Sequence, residues 1–356
     1  MYVFLKKILI IAAVLLFSSI ESVMASDKVI KIAGWDVYSD PDYPNKTIGF
    51  RDYEKKTGVK IEFTPFSNMD DIISAAESEQ DYDVFIISNE GISLLHDMGL
   101  VNSIDLGAIS NYQNLHHNLK HTNWSQFESK TYAVPWAWGP TGLMYNKDVI
   151  KNPNSWNVLW DDAYKGKVAM WDDVSMIWTT ALALGYKNVY SLTKNQLKEV
   201  QAKLIAFNRQ EAFYYAGGGD ELELAKQGKL VAFNAWYDPS SRLKAAGKNF
   251  SMFIPKEGAV GMFDSYLISK RSNNKDLALE YINFQISPEI QQQMVRITGL
   301  APANIETLAI LEENEIRALH LDDPDYFNRM LLWDHMPRKN LYDDVLKAVK
   351  ADRNQS

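Results

Sequence analysis

The stretch VIKIAGWDVYSD (residues 29–40) predicts a short β-strand whose end carries two aromatic side chains and a carboxylate. Residues 29–33 are apolar enough for a buried strand. Trp35, Asp36 and Tyr38 follow at once and are poor core material. An indole, a phenol and a carboxylate together suit a small organic cation, because ring faces attract cations and an anion meets the nitrogen. The stretch therefore predicts a strand with a cation site at its end.

Strand and helix patterns alternate along the rest of the chain. Such alternation predicts α/β architecture with mainly parallel sheets and helices on both faces. Strands are predicted at residues 60–64, 84–87, 168–171, 230–235 and 262–268, and helices at 45–57, 68–78, 91–98, 173–184, 193–207, 220–227, 276–286 and 340–351. A capping box of Asp220 and Glu223 is expected to start the helix at 220.

The first 25 residues have the pattern of a cleaved export signal. Lys6 and Lys7 precede ten apolar residues, 8–17, and small residues end the segment near Ala25. Ten apolar residues are about half of the roughly 20 that span a bilayer. We therefore expect residues 1–25 to be a signal peptide and the protein to be periplasmic. The remaining chain of about 330 residues is long enough for two domains.

Composition narrows the class of function. The chain contains no cysteine and has a formal net charge of −8, so we expect no disulfides and no nucleic-acid partner. The six histidines are scattered without metal-ligand spacing, and no serine lies in a nucleophile elbow. We expect no cofactor, no metal and no catalysis. Asp172 and Asp173 before a predicted helix fit either its N-cap or a ligand-facing anion.

Six segments resemble those of the periplasmic spermidine- and putrescine-binding proteins, the solute-binding subunits of polyamine ABC transporters. Their order and spacing agree with that family over nearly the whole mature chain. The segments are GWDVY (34–38), YDVFIIS (82–88), YAVPWAWGPTGLMYN (132–146), SWNVLW (155–160), YKGKVAMWDD (164–173) and IPKEGAVGMFDSYLISKRSNNKDLALEYINF (254–284).

The resemblance implies a two-lobed periplasmic-binding-protein fold whose lobes close over a ligand. The first lobe is expected to hold residues 26–139 and about 264–304, and the second lobe residues 140–263 and about 305–356. Carried over by position, the ligand-binding residues are Trp35, Asp36, Tyr38, Ser88, Asp173, Trp236 and Asp264. Asp264 is the carboxylate expected to pair with an amine nitrogen.

The chain departs from the family pattern at several binding positions. Met176 replaces a glutamate, Met262 a tryptophan, Leu300 an aromatic residue and Glu90 a tyrosine. Losing one anion removes about 1.5–3 kcal/mol of charge-assisted hydrogen bonding. Glu90 or Asp334 is expected to restore that charge. The pattern predicts an acidic, aromatic pocket with altered dimensions.

The resulting hypothesis is a periplasmic protein that binds a polyamine of the spermidine, norspermidine or putrescine type. It is expected to deliver this ligand to the inner-membrane permease of an ABC transporter. Two alternatives stay open at this point. In the first, the protein is a polyamine-sensing subunit of a membrane signalling enzyme. In the second, it binds another organic cation, and the replacements at Met176 and Leu300 indicate that change of ligand.

Overall fold

The computed structural model describes residues 28–216, 219–236, 239–334 and 336–354, so the predicted signal peptide (1–25) lies outside the described residues. The strands are β1 (Val29–Trp35), β2 (Ser39–Asp40), β3 (Tyr43–Thr47), β4 (Lys60–Phe66), β5 (Val84–Ser88), β6 (Val101–Asn102), β7 (Gln126–Phe127), β8 (Lys130–Thr131), β9 (Val134–Pro140), β10 (Gly142–Asn146), β11 (Val168–Trp171), β12 (Phe213–Tyr215), β13 (Ala232–Ala235), β14 (Phe250–Phe253), β15 (Ala259–Ser269), β16 (Ala301–Pro302) and β17 (Met330–Leu332). The helices are α1 (Phe50–Thr57), α2 (Met69–Glu77), α3 (Asn89–Asp97), α4 (Ser175–Ala183), α5 (Lys194–Asn208), α6 (Asp220–Lys226), α7 (Ser240–Ala245), α8 (Lys275–Gln285), α9 (Pro288–Thr298), α10 (Glu313–Ala318) and α11 (Lys339–Arg353). Within these ranges no helix is both long and apolar enough to cross a membrane.

Two large sheets define two lobes. The first has the order β16-β9-β15-β5-β1-β4, with β17 and β6 also paired to β15. The second has the order β12-β11-β13-β10-β14. The chain leaves the first sheet between β9 and β10 and returns between β14 and β15. The two-lobed α/β fold predicted from the sequence is confirmed.

Both sheets are mixed, which corrects the expectation of mainly parallel sheets. The β1–β4, β1–β5, β11–β12 and β11–β13 pairs are parallel. In contrast, β15 runs antiparallel to both β5 and β9, and β10 runs antiparallel to β13 and β14. The strands that pass between the lobes do not enter through a helical crossover, so they are free to pair in the opposite direction.

The central strands of the first sheet are covered on both faces. All five residues of β5 and all eleven of β15 are buried, as expected for strands between two layers of helices. Asp83 anchors the start of β5, since its carboxylate accepts from the Lys31 backbone N–H at 3.0 Å and from the Ser272 hydroxyl at 2.7 Å. These bonds fix the relative position of β1, β5 and the end of β15.

Several local predictions differ from the structure. Residues 45–47 belong to β3 instead of a helix, because β2 and β3 form a hairpin before α1. The predicted capping box at α6 is wrong: Gly219 is the N-cap, with φ of 123°, and no side-chain cap bond forms. Helix α9 was not predicted. Its first residue is Pro288, a favourable first helical position.

The lobe boundaries expected from the sequence remain a prediction. The strand pairing shows which sheet each boundary segment joins. Residues 259–263, expected in the second lobe, are the first half of β15 and pair with β9 and β17 in the first sheet. β17 also lies beyond the expected end of the first lobe at about residue 304. The first sheet therefore takes two strand segments assigned to the second lobe from the sequence.

Candidate ligand site between the lobes

The ends of β1 and β5 meet the middle of β15 at one edge of the first sheet. β1 and β5 are parallel, with Ile32 opposite Val84, so Trp35 and Ser88 lie at the same carboxyl-terminal edge. β15 crosses beside β5 in the opposite direction and places Asp264 directly opposite Ser88. The carboxyl ends of strands in an open α/β sheet are the usual place for ligands.

Asp264 is the centre of this edge. It is 2 % exposed and accepts hydrogen bonds from the Tyr38 hydroxyl at 2.5 Å and the Ser88 hydroxyl at 2.6 Å. Within the described residues its carboxylate forms no ion pair with a lysine, arginine or histidine. A buried carboxylate with neutral donors alone is costly unless a cation approaches it. This geometry makes Asp264 the strongest candidate for holding an ammonium group.

An irregularity in β15 places Asp264. The register between β15 and β9 shifts between Asp264 and Ser265. A bulge of this kind lets one side chain leave the regular alternation of the strand. The preceding residue is fixed as well, because the Phe263 backbone N–H donates to the side-chain oxygen of Asn89 at 3.2 Å.

Burial raises the pKa of Asp264 to about 6. Hydrogen bonds from Ser88 and Tyr38 lower the pKa and offset part of this effect. The Trp35 indole N–H also lowers it, although that group lies outside regular hydrogen-bond geometry. Asp264 is therefore mostly ionised at neutral pH while remaining unpaired by any basic side chain of the described chain.

Glu90 lies in the first turn of α3, two residues after Ser88. Its Oε2 atom is buried and has no hydrogen-bond partner among the described residues. Burial raises the pKa of Glu90 to about 8; a bond to its own backbone N–H lowers it, and the charge of Asp264 raises it further. The neighbouring Asn89 side chain donates to the Trp333 carbonyl at 2.6 Å and so holds this turn against the segment after β17.

A row of aromatic rings leads from the second sheet toward Glu90. Trp236 follows β13, and its ring centroid lies 6.2 Å from that of Trp171 and 4.7 Å from that of Trp333. Trp333 is 5.7 Å from Trp178, which is 5.2 Å from Tyr190. All four contacts are edge-to-face or tilted, the arrangements favoured by aromatic pairs.

Tyr190, at the end of the aromatic row, lies within the electrostatic influence of Glu90 and Asp334. The negative charges of Glu90 and Asp334 contribute to raising the pKa of Tyr190, although burial is the largest cause. The Tyr190 hydroxyl donates to the Leu331 carbonyl at 3.0 Å. Trp333 and Tyr190 were not predicted from the sequence; the only signal was the position of Trp333 next to Asp334.

The two neighbouring aspartates after β11 have different partners. Asp173 accepts from the Ser175 backbone N–H at 2.8 Å and from the Ser175 hydroxyl at 2.5 Å, so it stabilises the start of α4. Burial raises its pKa. Asp172 faces α11 and forms ion pairs with Lys350 at 3.3 Å and Arg353 at 3.0 Å. The N-cap of α4 is Val174, so Asp173 lies one residue before the cap and bonds the first helical residue. Its role toward a ligand stays a prediction.

Asp36 lies apart from the hydrogen bonds around Asp264. It is exposed in the 3-10 turn Asp36–Tyr38 and accepts from the backbone N–H of Val37. The turn instead delivers Tyr38, which is fully buried. Of the first-strand residues predicted from the sequence, Tyr38 therefore contacts Asp264 directly, and Asp36 stays at the rim.

The lobes approach each other closely beside Trp236. A narrow cavity of about 10 Å³, roughly the space of one water molecule, is lined by Trp138 and Leu300 from one side and by Trp236 and Met252 from the other. Leu300 is 2 % exposed. Met176, another departure from the family pattern, is fully buried in α4. Its side chain belongs to the main hydrophobic core, which includes residues of both lobes.

Two α/β lobes joined by crossing strands, with acidic and aromatic residues at the facing strand ends, are typical of a solute-binding protein. The chain matches the family of bacterial extracellular solute-binding proteins over residues 50–315 and belongs to it.

Relatives and solved structures agree with this assignment. The chain is 25% identical over 314 residues to the spermidine/putrescine-binding periplasmic protein of Escherichia coli K12, covering 85% of this chain and 87% of that protein. It is 26% identical over 309 residues to the putrescine-binding periplasmic protein SpuD of Pseudomonas aeruginosa, covering 81% and 82%. The fold is similar to PotD of Streptococcus pneumoniae, with a TM-score of 0.78 at 22% identity, covering 92% of this chain and 99% of that chain. The family resemblance seen in the sequence motifs is confirmed.

Proposed function

We propose that the protein binds a polyamine between its lobes in the periplasm and delivers it to the permease of an ABC transporter. One observation carries this proposal: the buried Asp264 carboxylate, which accepts hydrogen bonds from the Tyr38 and Ser88 hydroxyls and has no ion pair with a basic side chain among the described residues. An ammonium group supplies the missing charge, and ring faces accommodate the methylenes between nitrogens. The names of the relatives, which bind spermidine and putrescine, support the same ligand class.

The site residues take separate roles in this proposal. Asp264 and Glu90 hold nitrogens in the first lobe, and Tyr38 orients Asp264. Trp35 and Trp236 supply ring faces from the two lobes. The remaining predicted contacts, proposed to act at the margins of the ligand, are Asp36, Ser88, Asp173 and Asp334.

Calorimetric titration of the purified, ligand-stripped protein tests the ligand class. Spermidine, norspermidine, putrescine and the quaternary amine choline serve as ligands. We expect sub-micromolar binding of at least one polyamine and much weaker binding of choline, which has no N–H to donate to Asp264. Binding of choline alone contradicts the polyamine proposal and favours another organic cation.

Delivery and the absence of chemistry need separate measurements. Uptake of labelled ligand into vesicles that contain the cognate permease is expected to depend on this protein. The same ligand, recovered after prolonged incubation, is expected to be unchanged by mass spectrometry. Conversion of the amine would show catalysis, and binding without support of uptake would contradict the transport role.

A further inference from the structure

Two carboxyl groups, those of Asp264 and Glu90, lie at the edge of the first sheet where β5 ends. Asp264 lies in β15 and Glu90 begins α3, and Ser88 between them in the fold bonds Asp264 directly. The charge of Asp264 opposes ionisation of Glu90. Among the described residues, neither forms an ion pair with lysine, arginine or histidine. These two residues are called the carboxyl pair below.

Among the residues that the structure describes, no lysine, arginine or histidine forms an ion pair with the carboxyl pair. The described titratable groups that act on it are phenols and carboxyls: Tyr38 bonds Asp264, while Tyr190 is affected by both Glu90 and Asp334. Glu90 Oε2 is buried without a donor from the described residues. A buried carboxylate in such a place is much more stable when it carries a proton or meets a cation.

We propose that the carboxyl pair holds one proton in the unliganded protein and releases it to solvent when a ligand ammonium group takes its place. This inference rests on the proposed function and adds a regulatory property to the same site. The ligand brings an N–H donor and a positive charge, so a carboxylic acid at Glu90 becomes a carboxylate and its proton passes to buffer. Binding therefore strengthens as pH rises toward neutrality.

The pKa values support this direction. Burial and the charge of Asp264 place the pKa of Glu90 at about 8, whereas that of Asp264 is about 6. Because the groups interact, the proton belongs to the pair and not strictly to one residue. An amine with a pKa near that of lysine, about 10.4, stays charged in this range and does not supply the released proton.

Calorimetry in buffers with different heats of ionisation measures the released proton directly. Putrescine is titrated at pH 7.0 in phosphate, PIPES and MOPS, and the slope of observed enthalpy against buffer ionisation enthalpy gives the number of protons. We expect roughly one proton released per ligand bound. Between pH 6.0 and 7.5, affinity should rise by up to about tenfold per pH unit.

Matched variants assign the proton. Glu90→Gln keeps the shape of the side chain but cannot release a proton, so the release should fall to less than half. Glu62→Gln, an exposed position on β4, should leave it unchanged. Difference infrared spectra of wild type should also show a protonated carboxyl band that disappears on ligand addition, which does not depend on any variant.

The outcomes separate this inference from the proposed function. Tight binding without proton release, or equal release in Glu90→Gln and wild type, overturns the inference and leaves the polyamine-binding function intact. Failure of every polyamine to bind overturns both. Release in wild type that is lost in Glu90→Gln and retained in Glu62→Gln supports it.

Discussion

Carboxylates lie at the edge where strands end in both sheets, but their partners differ between the two sheets. In the first sheet, Asp264 accepts hydrogen bonds from two hydroxyls and forms no ion pair with a basic side chain among the described residues. In the second, Asp172 is neutralised by Lys350 and Arg353, and Asp173 is occupied by Ser175. An acidic residue at a strand end is therefore available to a cation only where the protein itself leaves the charge unmatched.

This difference predicts that the first sheet supplies most of the binding energy. Asp264→Asn should weaken polyamine binding by tenfold or more, because a charge-assisted hydrogen bond contributes about 1.5–3 kcal/mol. Calorimetric titration with the preferred polyamine measures the change. Asp172→Asn, which alters an ion pair within the second lobe, is the matched control and should change affinity by less than twofold. Equal losses in the two variants would contradict the comparison.

The second expected effect concerns the stability of the unliganded protein. The pKa of Glu90 is about 8 in the folded protein and about 4.3 in an unfolded chain. Between these values the folded state retains a proton that the unfolded state has lost, so the free energy of unfolding falls as pH rises. Glu90→Gln removes this penalty and should stabilise the protein at pH 8 by more than about 1.4 kcal/mol, the value of a single pKa unit.

Thermal unfolding at pH 5, 6.5 and 8 measures that effect. The variant and wild type should differ little at pH 5 and diverge as pH rises, with the variant more stable. Glu62→Gln should follow wild type throughout. Parallel curves for wild type and Glu90→Gln would show that Glu90 titrates normally in the folded protein.

The contrast between the sheets could be anticipated only in part. The resemblance to polyamine-binding proteins predicted Trp35, Tyr38, Ser88 and Asp264 as binding residues. The pairing of β5 with β1 and with β15 brings Tyr38, Ser88 and Asp264 into contact. The bulge that positions Asp264 was not predicted, because it depends on pairing between β15 and the distant β9.

The features that the sequence did not predict depend mainly on contacts between residues far apart along the chain. The sequence left Asp172 and Asp173 open between helix cap and ligand contact. The two aspartates have different partners because α11 packs nearby. Its Lys350 and Arg353 contact Asp172 although they lie 178 and 181 residues further along the chain. Trp333 was missed for the same reason: β17 returns to the first sheet, and only that return brings its indole beside Trp236.

The ion pairs at Asp172 should contribute modestly to the stability of the second lobe. Arg353 is partly buried, pairs with Asp172 at 3.0 Å and lies 4.2 Å over the Tyr214 ring. Arg353→Met should lower stability by about 1 kcal/mol, a shift in Tm of about 2–4 °C. Arg317→Met, which removes an exposed pair with Glu313, should have a smaller effect. Polyamine affinity should stay within twofold of wild type in both variants.

The smallest effect is expected at Asp173, and it tests the comparison most finely. Its Oδ1 atom already accepts two hydrogen bonds from Ser175, and an asparagine oxygen can accept the same bonds. Asp173→Asn therefore keeps the start of α4 and removes only the charge, so the loss of affinity should be about threefold. Calorimetry measures it, with thermal unfolding as the check on α4. A loss as large as that of Asp264→Asn would show that the second lobe contributes an equal anion, since a change in the hydrogen bonds to Ser175 cannot produce it.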